Sequence, residues 1–144
     1  MPRTARVVSL TGCNHIIARG NGGICIFEDD EDRYRMLTLF EDKLVGNGIG
    51  VTAWCLMSNH FHLMVDDPHG KISSCMSGVL TSYAMHFNRK TGRVGHLFQD
   101  RFTNIPVEND IQAISLADYI HMNPVKAGIS AVDVYRWSSY RAYA

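Results

Sequence analysis

Hydrophobic positions recur with period two in some short stretches and near 3.6 in longer ones, which divides the chain into strands and helices. Residues 13–18 (CNHIIA) read as a strand running into a turn at Arg19-Gly20-Asn21-Gly22-Gly23. Over residues 30–46, Met36, Leu37, Phe40 and Leu44 keep helical spacing; Asp29 or Asp30 caps the start, and Gly46 and Gly48 end it. Residues 50–57 and 60–66 predict two strands joined by a tight hairpin at Ser58-Asn59. The stripe Ile72, Cys75, Met76, Val79, Leu80, Tyr83 and Phe87 predicts a helix over 71–88. A loop rich in glycine and bases leads to a short strand near 102–107. A last helix over 110–122 is expected to stop at Pro124.

Strand, helix, strand, strand, helix, strand is the split βαβ order of an α+β, ferredoxin-like βαββαβ sandwich with an antiparallel sheet. The additional C-terminal helix falls outside that unit. Two helices should cover one face of the sheet and leave the other open to a ligand or to the extra helix. No repeat or low-complexity tract interrupts this order, and 144 residues suit a single domain over 1–144.

Composition narrows the class. With 46% apolar and 19% charged residues the chain has the material for a core, which excludes intrinsic disorder. Its apolar runs fall short of the roughly 18 residues of a membrane span, and the N-terminus lacks a signal-peptide apolar region. The expectation is a cytoplasmic protein with no membrane partner. Cys13, Cys25, Cys55 and Cys75 form no CxxC pair, so reduced, buried thiols are expected.

Charge changes the picture through its placement. Fourteen Lys+Arg balance fourteen Asp+Glu, which argues against a protein that coats nucleic acid through bulk charge. Yet residues 28–43 hold seven acids against three bases, a local −4, and the remainder carries +4. Arg89, Lys90, Arg93 and Arg101 face only Asp100 across residues 86–102. The acidic helix is therefore expected on the covered side of the sheet, with the bases near a site on the other.

Candidate chemistry centres on His60-Phe61-His62. Alternation along a strand puts His60, His62 and Met64 on one face and Phe61, Leu63 and Val65 on the other, so the histidines share the open face. Imidazole binds divalent transition metals, and a mixed imidazole and amide-oxygen site also admits Mg²⁺ or Mn²⁺. On the last helix Gln112, Ser115, Tyr119 and Asn123 line one face, while Ile111, Ile114, Ala117 and Ile120 are expected to pack on the sheet. Asn123 offers a third metal ligand one turn beyond the Tyr119 phenol. His121 is a rival ligand, about 160° around the helix from Asn123 at roughly 100° per residue. A metal-dependent hydrolase built on His60, His62 and His121 is thus an alternative reading of these residues. Tyr83 lies on the apolar stripe of its own helix and reads as core.

These residues resemble the REP-associated tyrosine transposases, within the single-tyrosine HUH transposases. The likeness runs almost end to end: NHIIARGN at 14–21, CLMSNHFH at 55–62, YAMHFN at 83–88, GHLFQDRF at 95–102, DYIHMNPVKAG at 118–128 and WSSY at 137–140. Two departures are Ser58, where proline is common, and a chain that stops soon after Tyr140, where relatives often extend. The resemblance implies a ferredoxin-like enzyme that cleaves and rejoins single-stranded DNA near palindromic hairpins, the alternative being a hairpin-binding protein that keeps the fold and no longer cuts. It implies Tyr119 as nucleophile, with a 5′-phosphotyrosine intermediate, and a divalent Mg²⁺ or Mn²⁺ on His60, His62 and Asn123. Members of the wider group act as a monomer or a homodimer. For DNA contact the expected residues are Arg19, Asn21, Arg89, Lys90, Arg93, Arg101 and Lys126, whose bases neutralise phosphates. Trp54 and Trp137 offer rings for stacking on unpaired bases or for the core.

Overall fold

The computed structural model describes residues 12–99, 101–129, 131–132 and 135–143. Asp100 and the extreme N-terminus, on which two of the expectations rest, lie outside the described residues. The elements follow in the order β1 (Cys13–Arg19), α1 (Asp30–Lys43), β2 (Gly50–Leu56), β3 (His60–Asp66), α2 (Ile72–Thr91), β4 (Thr103–Pro106), α3 (Asp110–Lys126) and a terminal helical turn, Tyr140–Tyr143. The four strands form one antiparallel sheet in the order β2-β3-β1-β4, the ferredoxin-like arrangement the pattern predicts.

Capping residues fix where the helices begin. Asp29 accepts from the Asp32 amide at 3.0 Å, and Asp30, Glu31 and Asp32 place negative charge at the positive end of α1. The buried Asp67 carboxylate takes the Lys71 and Ile72 amides, both at 2.9 Å, at the start of α2. Both helices pack on the face carrying Phe61, Leu63 and Val65, where Met36, Phe40, Met76, Val79 and Tyr83 complete the main core. Burial raises the Tyr83 phenol's pKa, and its hydroxyl donates to the Ile26 carbonyl, so this tyrosine is core. The acidic helix α1 does lie on the covered side. Its fully buried Asp32 accepts from the Glu28 amide and pairs with His86 and Lys90 of α2, tying the two helices together.

On the other face lies α3, over a smaller cluster of Ala53, Cys55, Met57, Met64, Ala117 and Ile120. Two expectations need correcting here. Ile111 and Ile114 do not face the sheet: they are 78% and 67% exposed. Each step of three residues drifts about 60° around a helix, so Ile111 ends up opposite Ile120. Ala113, Leu116, Ala117 and Ile120 keep the true period and make the contact, and Pro124 is buried one turn further on.

The second correction concerns length, since α3 runs through Pro124 to Lys126. Proline lacks the N–H that would bond the Ile120 carbonyl four residues back. The Asn123 side-chain amide substitutes, donating to Ile120 O at 3.3 Å and to Tyr119 O at 3.0 Å.

Other thiols and rings fall into place simply. None of the four cysteines is in a disulfide; Cys55 is buried as expected, Cys13 and Cys75 are half-buried, and Cys25 is exposed because it precedes the chain's turn into the core at Ile26. Trp137 is buried in the main core and Trp54 packs against it. Among the described residues no helix is long and apolar enough to cross a membrane.

The loop after β1 is held by a steric requirement at Gly20. A Cβ there would sit 2.3 Å from the Ile24 carbonyl oxygen and 3.0 Å from Ile26 Cγ2. Gly20→Ala is therefore expected to destabilise the protein by about 2 kcal/mol or more. Thermal unfolding checks this, and an unchanged Tm contradicts it.

Candidate active site

The site is assembled by the pairing of β1 with β3. In that register Arg19 lies opposite His60, Ile17 opposite His62, and His15 opposite Met64. His15, Ile17 and Arg19 therefore share the open face with His60 and His62, and His15 stands diagonal to His62. The His15 and His62 rings lie side by side, with centroids 5.3 Å apart and planes 19° from parallel, and His15 Nε2 lies 3.0 Å from His62 Nδ1. His60 meets His62 edge-on at 5.1 Å, and its Nδ1 is 2.7 Å from Asn59 Oδ1.

Helix α3 brings Tyr119 over these imidazoles. Its ring centroid is 5.7 Å from that of His62 and 6.1 Å from that of His15, edge-on to both. The tyrosine is 43% exposed, so one side of the phenol reaches solvent, while His62 beneath it is 1% exposed. Further along the same helix, Lys126 places Nζ 4.6 Å from the centre of the Tyr119 ring. Tyrosine, histidine pair and ammonium thus meet within one chain.

Burial sets the electrostatics. Loss of solvation drives the His62 pKa down to about 3, reinforced by His15, His60 and the Arg19 guanidinium. Burial alone takes His15 down to about 4, and His60 is lowered by burial and then by Arg19. All three rings are held neutral, the state in which imidazole offers a lone pair to a metal. The pair therefore fits a divalent cation. Among the described residues no three His, Cys, Asp or Glu side chains converge in a form that would complete a metal site, so further ligands would come from an amide oxygen, water or phosphate.

Other expected residues are placed less simply. Asn123 sits on α3 beside Tyr119, with its amide nitrogen committed to its own helix. His121 points elsewhere: buried, with Nε2 2.7 Å from Ser139 Oγ and its ring edge-on to Tyr140. This removes the His60, His62, His121 hydrolase, because the 160° separation sends His121 towards the C-terminal segment. Gln112 is used at the start of α3, where Oε1 accepts from the Glu108 amide at 3.0 Å.

The bases are dispersed as well. Arg19 is next to the pair, held by Gly20 N to Asn59 O and Gln99 N to Arg19 O, both 2.8 Å. Asn21 adjoins it, exposed, with Nδ2 3.4 Å from the His96 carbonyl. Arg89 and Lys90 lie on α2, across the sheet from the histidines, and line a groove with Glu31 and Arg35 of α1. Lys90 is engaged by Asp29 at 2.7 Å and Asp32 at 3.0 Å. Arg93 donates to the Gly95 carbonyl at 3.3 Å, and Arg101 is half-buried just before Phe102. Of the expected bases, Arg19 and Lys126 adjoin the site, while α2 carries Arg89 and Lys90 into the helical layer and Arg93 and Arg101 fall on the loop beyond it.

The residue that sequence reasoning missed is His15. Alternation within residues 13–18 already puts it on the face opposite Ile16 and Ala18, but only the strand register shows that it meets His62.

Known proteins sort this geometry into a family. The family model for IS200-like transposases matches residues 12–123, most of the chain and all of the site up to Asn123. The chain belongs to the IS200-like transposases. These are enzymes of DNA strand cleavage and transfer that act on single-stranded DNA. No curated protein matches the sequence. Among solved structures, a REP-associated tyrosine transposase bound to a REP hairpin superposes with a TM-score of 0.74 at 20% identity, over 99% of this chain and 84% of that one. A protein described as a transposase from Deinococcus radiodurans R1 gives 0.55 at 16% identity, over 83% and 95%. Those likenesses establish the fold of this IS200-like transposase.

Neutral buried histidines carry a pH signature. Their folded pKa values lie below the unfolded value of about 6.5, so the unfolded chain binds protons first and stability falls as pH drops below that value. Chemical denaturation of the metal-free protein is expected to show declining stability from pH 7 towards the His15 value of about 4. The double variant His15→Gln, His62→Gln should have a shallower decline; an equal slope contradicts the assignment.

Proposed function

We propose that this transposase cleaves and rejoins single-stranded DNA beside a palindromic hairpin, with Tyr119 as the nucleophile and His60 and His62 as metal-binding residues. The observation that carries the reading is the Tyr119 ring standing 5.7 Å from His62, on the solvent-open side of the sheet. Hairpin DNA is the partner of the REP-associated structural neighbour, and the exposed rim around Tyr119, Arg19 and Lys126 offers a place for a strand of the same kind.

A phenol titrates near pH 10 in model compounds, so a tyrosine nucleophile needs help from its setting. Lys126, with Nζ 4.6 Å from the centre of the ring, puts positive charge beside the phosphate that Tyr119 meets. Tyr119 Oη forms a bond to phosphorus as the bond from phosphorus to the 3′ oxygen breaks. The phenolic proton passes to solvent, and the 3′ oxygen takes one up. The DNA is left with a 5′-phosphotyrosine link and a free 3′-hydroxyl.

Because the ester is exchanged and not hydrolysed, the same or another 3′-hydroxyl reverses the step, with no nucleotide triphosphate consumed. His60 and His62, with Asn123 as the third protein ligand, would hold a divalent Mg²⁺ or Mn²⁺, which when bound would supply positive charge to the phosphate oxygens. The Asn123 amide nitrogen bonds back to its helix, which leaves the side-chain oxygen as the atom available for this role.

Arg19 and Asn21, at the end of β1, and Lys126, on α3, are the nearest contacts for DNA. Arg93 and Arg101 border the loop that follows α2, and Arg89 serves a strand only where it passes the helical layer.

Incubated with hairpin-bearing single-stranded DNA and Mn²⁺, the protein should gain the mass of a nucleotide adduct on the Tyr119 peptide. Tyr119→Phe should bind the hairpin with near-unchanged affinity and form no adduct. A covalent product from Tyr119→Phe would falsify the assignment, and binding without any adduct in the unaltered protein would indicate a module that no longer cuts. Arg19→Ala and Lys126→Ala should each weaken binding and reduce the slope of log affinity against log salt by about 0.7 for each phosphate left without its cation.

A further inference from the structure

Both members of the histidine pair have Nδ1 engaged. His60 Nδ1 lies 2.7 Å from Asn59 Oδ1, and His62 Nδ1 lies 3.0 Å from His15 Nε2. A neutral imidazole carries its proton on one nitrogen and a lone pair on the other, and only the lone pair binds a metal. An amide oxygen can only accept, so His60 Nδ1 carries the proton and donates to Asn59, leaving a lone pair on Nε2.

His62 has two ways to make its bond. When Nδ1–H of His62 donates to His15 Nε2, the His62 Nε2 lone pair is open. When His15 donates instead, His62 Nε2 holds the proton and is blocked.

We propose that Asn59 and His15 are positioning residues: Asn59 fixes the tautomer of His60, and His15 supplies the acceptor for His62 Nδ1–H in the arrangement that presents both Nε2 lone pairs together to a divalent cation. The proposal rests on the reading of His60 and His62 as the metal-binding pair. Both residues are built to hold still. Asn59 sits in the hairpin beside His60, with its carbonyl taken by the Gly20 amide at 2.8 Å. His15 is buried, nearly coplanar with the His62 ring it hydrogen-bonds and bounded by Tyr119. Binding of a cation at His62 Nε2 selects the arrangement in which His15 accepts at Nε2 and keeps its own proton on Nδ1. Outer partners of this kind fix ring orientation in metal-ligating histidines, and losing one lowers metal affinity roughly 10–100-fold.

The test uses the full chain, Mn²⁺ alone as the probe, and two readouts. Proton–nitrogen correlation spectra of the metal-free protein at mildly alkaline pH report which ring nitrogen of each histidine is protonated. His60 is expected as the Nδ1–H tautomer, and Asn59→Leu should lose that preference. In Mn²⁺ titrations followed by electron paramagnetic resonance, Asn59→Leu and His15→Leu should each weaken binding roughly 10–100-fold. Asn59→Asp and His15→Gln keep an acceptor oxygen and should recover most of the loss, which a role in packing alone does not predict.

A proton on Nε2 of His60 in the unaltered protein overturns the proposal, as do leucine variants that bind Mn²⁺ as tightly as the unaltered chain. A His60→Ala, His62→Ala variant separates the two failures. If it binds Mn²⁺ normally, the metal reading itself is wrong and positioning falls with it. If it loses Mn²⁺ while the His15 and Asn59 variants do not, positioning alone is wrong.

Discussion

The antiparallel pairing of β1 with β3 is the constraint on which the site depends. It brings His15 beside His62 and Arg19 beside His60, although these residues stand more than forty positions apart in the chain. A slip of one residue would turn His15 and Arg19 to the helical face and Ile16 and Ala18 to the open one. The core prevents that slip, because Ile16 and Ala18 are buried with Phe61, Leu63 and Val65 under two helices. The apolar face thus stabilises the register, and the register in turn gathers the polar groups. Loop closure reinforces it: the Gly20 amide bonds Asn59 O, and the Ile26 amide bonds Ser58 O, both at 2.8 Å. Ser58 contributes through its carbonyl there, a group that proline also has.

Helix α3 adds Tyr119 by a weaker contact. Its buried side is small, made of Ala117, Ile120 and Pro124 with partial help from Ala113 and Leu116, and it covers a modest cluster on the sheet. Continuation of the helix past Pro124 carries Lys126 back over Tyr119. That continuation depends on Asn123, whose amide supplies a donor to the carbonyl the proline leaves without its usual partner. One residue therefore supports the helix through its nitrogen and leaves its oxygen for other work.

Charge follows the same separation of faces. The acids of α1 are absorbed within the helical layer, where Asp29 and Asp32 hold Lys90 and Asp32 also pairs with His86. Neutrality of the whole chain then coexists with a site flanked by the cations Arg19 and Lys126. Such a surface gives little general attraction for nucleic acid and leaves selection to shape and local contacts.

Local patterning alone determined the strands, the three long helices, the ferredoxin-like order and the shared face of His60 and His62. Period and capping are properties of neighbouring residues, so Asp29, Tyr83 and the 60–66 strand were legible without any tertiary information. The pairing of Tyr119 with Asn123 along one helix face was legible for the same reason. Tertiary structure decided what depends on distant partners. It placed His15 on His62, sent His121 to Ser139, turned Ile111 and Ile114 to solvent, and carried Arg89 and Lys90 into the helical layer. A sequence period states which side chains share a face. Only the register of paired strands and the seating of a helix state which residues that face meets.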